Sequence, residues 1–512
     1  KQISILLGAL MLVSASIQAQ EVTQEDYSRA ISFIYDNYNN KTAFNLYTNV
    51  NWFKDGSGLW FIDFSKNKKN YKTVSFKNQK AVDLFNHEKL AQALSKLNGK
   101  PVEANNLSVS NIERIKDENL DLSFEGNSYT LSLKSYELQL KNEEEKESYN
   151  EFERKSPDGK WIAYTKDYNL FIKSTENNQE YQLSFDGKKD YEYATYYGWF
   201  DIMEGENSER PKHFSANWSD DSKWITANII DFRNAEKMYL LDHSIDTLYK
   251  SKLLSYYRGS PGDTTMVHVT PAFFNVETKK EVKTKLPTGT HINSVAIEWM
   301  EKSGVLLAEY SERGYKNEVV KLVDLNTRIE KTLIEETSET NIDNFWFRKF
   351  DNKQKIVFLS ERSGWRQLYI IDLKTNITKA ITSGNFYINS IEHTNEDKEE
   401  IYFLASGKEP NANPYHQQLY RADFDGKTTL LTPENTHHIV NFSEDGKYFA
   451  DNYSTINTPT KTVLRDSKSG KILAELTKAD VSEAQTKGWK SPEVFELIGK
   501  DGKTTIYGAM WK

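Results

Sequence analysis

The sequence contains no cysteine, and this absence excludes several kinds of protein chemistry at once. Without a thiol, the 512-residue chain has no disulfide framework, no thiolate metal site, no cysteine nucleophile and no lipid anchor on a cysteine. Its stability must therefore come from packing and hydrogen bonding. A chain of this length can supply both, in one large repeat domain or in several ordinary domains.

Clustered positive charge and long apolar runs are also scarce. The net charge is −8, with Lys and Asp/Glu mixed along the chain, which argues against a nucleic acid partner because phosphate binding needs clustered Lys and Arg. One apolar run, residues 3–13, follows Lys1 and precedes small residues at 15–20, the order typical of a secretory signal. Because the run is too short to span a bilayer, we predict cleavage after Ala19 and export to the periplasm or beyond, without a membrane span. An uncleaved anchor is the alternative.

Several catalytic and metal-binding motifs are missing as well. The chain has no G-x-S-x-G nucleophile motif, and its nine histidines show no metal-ligand spacing. His437 and His438 are adjacent, so on a strand they point to opposite faces and cannot bind one ion together. The Gly-Lys-Thr triplets at Gly426 and Gly502 lack the upstream glycine of a phosphate loop, and Asp423 lacks the later ligands of a calcium loop. We predict hairpin turns at these places, with no cofactor, no metal and no catalytic residue in the chain.

The sequence contains a recurring motif, in which a polar turn with Asp or Gly is followed by a short strand. Aromatic residues, which favour strands, make up 13% of the composition. The last three copies start at 351, 396 and 444, which are 45 and 48 residues apart and close to the length of one propeller blade. The copies read PDGKWIAY (157–164), DDSKWITA (220–227), EKSGVLLA (301–308), DNKQKIVF (351–358), EDKEEIYF (396–403) and EDGKYFA (444–450).

The pattern predicts an all-β fold, a seven- or eight-bladed β-propeller, because repeats of this size must stack to bury their apolar faces. A linear β-sandwich is the competing interpretation. Thr23 and Asp26 have capping-box spacing before a helical pattern, which predicts a short N-terminal helical segment over 20–45. A second helical pattern covers roughly 84–97, and the propeller is predicted over 46–480.

Residues 196–214 interrupt the repeats with a long aromatic and acidic insertion, the kind of loop that carries binding function. In an extended segment Glu204 and Glu206 point to the same side and could together bind an ammonium group. The alternative is a solvated acidic loop without a specific role.

The pattern of predicted secondary structure changes again after residue 481. Residues 482–487 are predicted as a short helical linker, and two apolar stretches around the Asp501-Gly502 turn predict a hairpin.

Taken together, these phrases resemble the N-terminal propeller of the dipeptidyl peptidase IV group in the prolyl oligopeptidase family. The most specific phrase is SERSGWRQLY at 360–369, which is similar to that group's SERDGW…LY blade and continues into Ile381-Thr382-Ser383-Gly384. A second similar block runs through Leu419-Tyr420-Arg421 to Val463-Leu464-Arg465-Asp466. The resemblance covers about 151–512 well and the first repeats weakly.

The resemblance implies that an α/β-hydrolase domain with a Ser, Asp and His triad follows the propeller, and that 481–512 are its linker and first hairpin, with the remainder missing. The implied reaction is acyl transfer through an activated serine, and the partners are a peptide substrate and the missing catalytic domain. The family holds the substrate amine on an adjacent Glu-Glu pair. This sequence has Asp201-Ile202-Met203-Glu204-Gly205-Glu206 there, so Glu204 and Glu206 are the available substitutes.

Two functions remain open at this point. The chain is either the recognition part of an exported serine exopeptidase or a non-catalytic periplasmic propeller used for binding or assembly. A carbohydrate-active propeller fits less well, because the sequence shows no clustered carboxylates. Homodimer formation is compatible with the sequence but not specified by it.

Overall fold

The computed structural model describes residues 22–115, 118–141, 150–197, 212–243 and 250–511. The predicted signal peptide at 1–19 and the candidate carboxylates Glu204 and Glu206 lie outside the described residues.

Helices are few and short in the described residues, and none of them has the length and apolar character to cross a membrane. Thr23 caps the first helix as predicted. Its hydroxyl accepts from the Asp26 amide at 3.2 Å, and the Asp26 carboxylate accepts from the Thr23 amide at 3.0 Å. The α-helices are α1 (Gln24–Ser32), α2 (Tyr35–Tyr38), α3 (His87–Asn98) and α4 (Ser482–Thr486), and the 3-10 turns are Ala104–Asn106 and Asp351–Lys353.

The second predicted helix starts three residues later than its apolar pattern indicated. The Asn86 side chain accepts from the Lys89 amide at 3.0 Å and caps α3, so that the helix begins at His87. Leu84 and Phe85 precede the cap and pack in the core.

The strands form small antiparallel sheets, most of them four-stranded meanders in which neighbours along the chain are neighbours in the sheet. The first three such sheets contain β1 (Val50–Trp52), β2 (Gly58–Ser65), β3 (Lys68–Ser75) and β4 (Ala81–Asp83); β5 (Val109–Ile115), β6 (Asn119–Phe124), β7 (Asn127–Ser132) and β8 (Leu138–Leu140); and β9 (Glu153–Lys155), β10 (Trp161–Lys166), β11 (Asn169–Ser174) and β12 (Glu180–Gln182).

The next sheet departs from this plan and has six strands, accompanied by two separate two-stranded ribbons, β14–β15 and β18–β19. The elements are β13 (Tyr191–Tyr193), β14 (Thr195–Tyr196), β15 (His213–Phe214), β16 (Ala216–Trp218), β17 (Trp224–Asp231), β18 (Met238–Asp242), β19 (Lys252–Tyr256), β20 (His268–Asn275), β21 (Lys280–Val282) and β22 (Gly289–Thr290).

Four further four-stranded sheets and a final hairpin, β39–β40, complete the described residues. They contain β23 (Ala296–Trp299), β24 (Val305–Tyr310), β25 (Asn317–Asp324) and β26 (Ile329–Thr337); β27 (Phe347–Phe350), β28 (Lys355–Ser360), β29 (Gln367–Asp372) and β30 (Ile377–Ala380); β31 (Tyr387–Asn395), β32 (Glu400–Ser406), β33 (Gln417–Asp423) and β34 (Thr428–Leu430); β35 (His437–Phe442), β36 (Tyr448–Thr455), β37 (Thr458–Asp466) and β38 (Ile472–Lys478); and β39 (Glu493–Ile498) and β40 (Thr505–Met510).

The recurring phrase of the sequence has a defined hydrogen-bonded shape. In the first copy Ser156 Oγ donates to Asp158 Oδ1 at 2.7 Å, and the amide of Trp161 donates back to Ser156 Oγ at 3.0 Å. Serine and aspartate close the turn in the same way at Ser219–Asp221 and Ser443–Asp445, at 2.6 and 2.8 Å. Because each turn is fixed by its own side chains, the phrase can be repeated without help from distant residues.

The chain divides into two compact units. One contains the described residues within Lys1–Lys141, Tyr415–Leu419 and Leu431–Lys512, and the other those within Asn142–Pro414 and Tyr420–Leu430.

In both units the apolar core lies between adjacent sheets, whether or not those sheets follow one another along the chain. In the first unit Leu59 and Phe61 of β2 pack with Leu464 of β37. In the second unit Leu307 of β24 packs with Phe358 of β28. Each of these four sheets is therefore stabilised by the neighbour that packs on its apolar face.

The first unit also joins distant parts of the chain through buried polar groups. The amide of Thr48 donates to Asn452 Oδ1 at 2.9 Å, and Asn452 Nδ2 donates to the carbonyl of Thr48 at 3.2 Å. The hydroxyls of Thr48 and Thr477 lie 2.6 Å apart, and Phe44 and Asp480 exchange two backbone hydrogen bonds at 2.8 and 3.0 Å. The segment before β1 is thus held on the last four-stranded sheet.

In the second unit, acidic side chains meet at one end of the sheet β23–β26. Glu318 on β25 is directly opposite Glu336 on β26, and Glu336 accepts from Ser360 Oγ at 2.7 Å and pairs with Arg362. Glu318 has a different environment. Burial, with a smaller contribution from the charge of Glu309, raises the pKa of Glu318 to about 7.

The Asn452 contacts predict a stability effect. Asn452→Ala leaves the amide and carbonyl of Thr48 without their partners, so we expect a loss of about 2 kcal/mol and a lower midpoint in thermal unfolding followed by circular dichroism. Asn457→Ala, in an exposed turn, is the matched control and should change the midpoint little. Equal midpoints for both variants would contradict a structural role for the Asn452 amide.

The raised pKa of Glu318 predicts a pH dependence. Because the folded value lies above the unfolded value, the folded state holds the extra proton between about pH 4.5 and 7. The stability that protonated Glu318 contributes to the folded state is fully present below this pH window, and it is lost as the pH rises through 7. We expect Glu318→Gln to raise the thermal midpoint at pH 8 and to change it little at pH 5. Glu335→Gln, exposed on the neighbouring strand β26, is the control, and a gain that does not depend on pH would refute the assignment.

Candidate functional site

The residues that sequence reasoning placed at the site, Glu204 and Glu206, fall between two described positions, Tyr197 and Lys212. These two positions, and the elements that hold them, form the base of the insertion. This base is the described part of the candidate site.

A backbone turn at Ala194 directs the chain out of the six-stranded sheet and into the base. Ala194 is fully buried and has a φ of 50°, a left-handed conformation that is uncommon for alanine. Its amide donates to the carbonyl of Asn228 at 2.8 Å, and its carbonyl accepts from the amide of Ser215 at 2.8 Å. The surrounding sheet thus holds a conformation that alanine alone would disfavour.

The base itself is the two-stranded ribbon β14–β15. Thr195 pairs with Phe214 and Tyr196 pairs with His213, which gives only two residue pairs. A ribbon of this length is not stable on its own. Phe214 and Ala194 belong to the apolar core of the six-stranded sheet, and this core anchors the ribbon.

A buried carboxylate joins the two ends of the insertion. Glu192 is 3% exposed, and its Oε2 accepts from the Tyr197 hydroxyl at 2.7 Å and lies 3.3 Å from Lys212 Nζ. The Lys212 ammonium also lies 5.1 Å and 5.6 Å from the ring centroids of Tyr168 and Tyr197. We call Glu192, Tyr197 and Lys212 the clasp.

The clasp rests on a small apolar cluster of its own. Glu192 is the register partner of Ile230, which places both side chains on one face of the sheet. Ile230 clusters there with Tyr197, Phe232 and Val267, and the rings of Tyr197 and Phe232 meet edge to face at 5.3 Å. The position of the Tyr197 hydroxyl is therefore set by packing as well as by hydrogen bonding.

The clasp was not recognised from the sequence. The only sequence feature that points to it is Glu192, a single acidic residue between Tyr191 and Tyr193 in a short extended segment. In the structure both tyrosines pack with apolar core side chains. Burial of that acid predicts a cationic partner, but the partner follows the insertion and could not be identified from spacing.

Within the described ranges, no group of three or more His, Asp or Glu side chains is arranged so that it could hold a metal ion. His438 is fully buried, and its Nδ1 lies 2.9 Å from Asp451, while its Nε2 lies 3.2 Å from the carbonyl of Glu434. Arg465 Nε donates to the same Asp451 at 2.9 Å. These groups form a buried structural network, in which each charge faces a partner.

The two Gly-Lys-Thr triplets lie in turns, as predicted. Asp423 Oδ1 accepts from the amide of Lys427 at 2.9 Å, and Asp501 Oδ1 accepts from the amide of Lys503 at 3.0 Å. The aspartate oxygens close hairpins in both places.

Comparison with known proteins gives the family. Residues 108–460, more than half of the chain, match the family model described as the dipeptidyl peptidase IV (DPP IV) N-terminal region. Among curated proteins, dipeptidyl peptidase 4 of Trichophyton equinum is 26% identical over 164 residues, which is 30% of this chain and 20% of that protein. Dipeptidyl peptidase 4 of Arthroderma otae is 24% identical over 188 residues, 34% of this chain and 24% of that protein.

Two solved structures share the fold over nearly the whole chain. Porphyromonas gingivalis dipeptidyl peptidase 4 has a TM-score of 0.56 at 16% identity, over 94% of this chain and 66% of its own. A putative dipeptidyl aminopeptidase IV from Bacteroides ovatus has a TM-score of 0.54 at 17% identity, over 90% of this chain and 64% of its own.

The matches cover a fifth to a quarter of the length of these curated relatives and slightly less than two thirds of the solved chains. The predicted all-β propeller with a short N-terminal helical segment is confirmed. The resemblance drawn from the SERSGWRQLY phrase is confirmed as well, because that phrase lies inside the matched range. The chain belongs to the dipeptidyl peptidase IV N-terminal region family.

Proposed function

We propose that the chain is the recognition part of an exported serine exopeptidase of the dipeptidyl peptidase IV type. It binds the amino-terminal end of short peptides and controls their access to a catalytic domain. The family match over residues 108–460 is the observation that carries the proposal.

The proposed division of labour follows from the chemistry that the sequence lacks. No G-x-S-x-G motif is present in these 512 residues, so the nucleophile, its base and the oxyanion hole belong to another domain. About a third of each solved relative lies outside the matched part, which is room for such a domain. The propeller contributes binding and access, and no group that breaks a bond.

The proposed organisation is a signal peptide at 1–19, an N-terminal helical segment at 20–45, the propeller at 46–480, and a linker with the first hairpin of the α/β-hydrolase domain at 481–512. The hairpin β39–β40 supports this. Its apolar side chains at Val494, Phe495, Leu497 and Ile506 are between 38% and 57% exposed. Exposed apolar side chains on both faces of a ribbon are typical of an element that another part of a protein covers.

For recognition, we propose that Glu204 and Glu206 hold the ammonium group of the peptide. Carboxylates bind a substrate ammonium through short, charge-assisted hydrogen bonds, and two of them discriminate a free amine from a blocked one. Along the chain, Glu204 and Glu206 fall between Tyr197 and Lys212, whose side chains both contact the buried Glu192.

The recognition proposal is tested in the full gene product that contains this chain. Replacing Glu204 and Glu206 together with Gln should raise KM for peptides with a free amino terminus by about tenfold or more, because the charge-assisted hydrogen bonds are lost. The same peptides with an acetylated amino terminus are the control and should be affected little. Equal effects on the two peptide sets would show that the carboxylates do not bind the amine.

The division of labour is tested with a fluorophosphonate probe, which labels activated serines. We expect no labelling of the isolated 512-residue chain and labelling of the full gene product. Labelling of the isolated chain would place a nucleophile inside it. An unlabelled full product would favour a non-catalytic binding propeller.

A further inference from the structure

We propose that a cavity in the first unit binds a small quaternary ammonium compound. The cavity has a volume of about 170 Å³ and lies between the turn that joins β1 to β2 and the turn that joins β35 to β36. Both turns, and every residue that lines the cavity, are described. The inference is independent of the function proposed for Glu204 and Glu206.

Three aromatic side chains line the cavity, Trp52, Phe53 and Phe76. The indole Nε1 of Trp52 donates to Asn441 Oδ1 at 2.6 Å, and the ring of Phe76 stacks on the ring of Tyr448 with the centroids 4.0 Å apart. The rings of Trp52 and Phe76 lie 6.0 Å apart, with an angle of 43° between their planes. These contacts hold two aromatic walls in place without a ligand, which lowers the cost of binding one.

The cavity separates two turns that no hydrogen bond joins. Between residues 53–58 and 443–447, all of which are described, the backbone and side chains form no hydrogen bond across the gap. The corresponding turns of two other adjacent sheets are joined directly, because the amide of Asp158 donates to Ser222 Oγ at 3.0 Å. The gap between the first and the last four-stranded sheet therefore leaves room for another molecule.

The charges around the cavity favour a cation over an anion. Glu444 and Asp445 line it, and the faces of aromatic rings attract positive charge. Glu444 is exposed and has no ion pair among the described residues. Lys54 also lines the cavity, but its side chain is 82% exposed and its ammonium lies 3.6 Å from Glu113. An anion would meet two carboxylates and the negative faces of the rings.

One of the three rings already binds a cation of the protein itself. The guanidinium carbon of Arg114 lies 4.4 Å from the ring centroid of Phe53, and Arg114 Nη1 donates to Ser57 Oγ at 3.0 Å. Because Phe53 is engaged in this way, we expect the ligand to contact Trp52 and Phe76.

The acceptors of the cavity favour a quaternary over a primary ammonium. Asp445 Oδ1 accepts from Ser443 Oγ at 2.8 Å and from the amide of Lys447 at 3.1 Å, and Asp445 Oδ2 lies 2.8 Å from Lys447 Nζ. A primary ammonium brings three N–H donors, whereas a quaternary ammonium brings none. Since the oxygens of Asp445 are already engaged, a cation covered by methyl groups loses less on entering. The volume is below the range of about 300–1,000 Å³ for pockets that hold drug-sized ligands, so it fits a head group.

The first test compares two probes of the same shape in the full gene product. Choline carries the quaternary ammonium, and 3,3-dimethylbutan-1-ol is its neutral counterpart. Binding is measured by titration with saturation-transfer NMR of the methyl signals. We expect choline to bind and the neutral alcohol to bind about tenfold more weakly. Equal binding of the two probes, or no binding of choline, would overturn the proposal.

The second test measures choline binding in variants. Glu444→Gln removes an exposed charge, and Phe76→Leu removes an aromatic wall but keeps an apolar side chain. Each should weaken choline binding about threefold or more. Asp220→Asn is the matched control and should change nothing, because Asp220 is exposed and holds the same place in the Ser219–Asp221 turn as Glu444 holds in the Ser443–Asp445 turn. Unchanged affinity in Glu444→Gln would overturn the proposal, even if Phe76→Leu proves unstable.

A last comparison separates this cavity from the proposed recognition of peptides. The Glu204/Glu206 double variant should bind choline as the original protein does, whatever happens to its KM for peptides. Loss of choline binding in that variant would place choline at those carboxylates and would overturn the proposal.

Discussion

A four-stranded meander cannot cover its own two faces, and this constraint organises the sheets within both compact units. Leu307 of β24 and Phe358 of β28 share one apolar cluster, and Leu59 of β2 and Leu464 of β37 share another, so these sheets stabilise the sheets beside them. The apolar clusters combine side chains from adjacent sheets, and the buried residues form several such clusters. The stability of any one sheet is then shared with its neighbours, as in other repeat proteins.

In the first unit, polar contacts also join the segment before β1 to the region of the last four-stranded sheet, β35–β38. Asn452 satisfies both backbone groups of Thr48, and Phe44 and Asp480 pair through their backbones. These contacts join residues about four hundred positions apart, so their formation carries the entropy cost of closing a long segment of chain.

The sequence predicted the structures that depend on neighbouring residues, and it did not reveal contacts between residues far apart in the chain. The capping box at Thr23, the Ser–Asp turns and the strands that follow them depend on residues within a few positions of each other, and they appear where the pattern placed them. The start of α3 was shifted because the Asn86 cap outweighs the apolar periodicity at Leu84. Both the Glu192 clasp and the His438–Asp451–Arg465 network depend on partners from other strands, which spacing along one sequence does not reveal. The predicted site residues Glu204 and Glu206 lie outside the described residues, so their role stays a prediction.

The turn at Ala194 has a further consequence for how such a protein can change over evolutionary time. It directs the chain off the six-stranded sheet before β14, and the chain returns to the same sheet at β16. In the described residues between these points, β14 and β15 pair with each other as a separate two-stranded ribbon. Doubling the length of a flexible loop costs only about 0.6 kcal/mol in closure entropy. A change of chain length beyond this ribbon should therefore cost the fold little, and we expect this place to accept sequence change more readily than the strands of the six-stranded sheet.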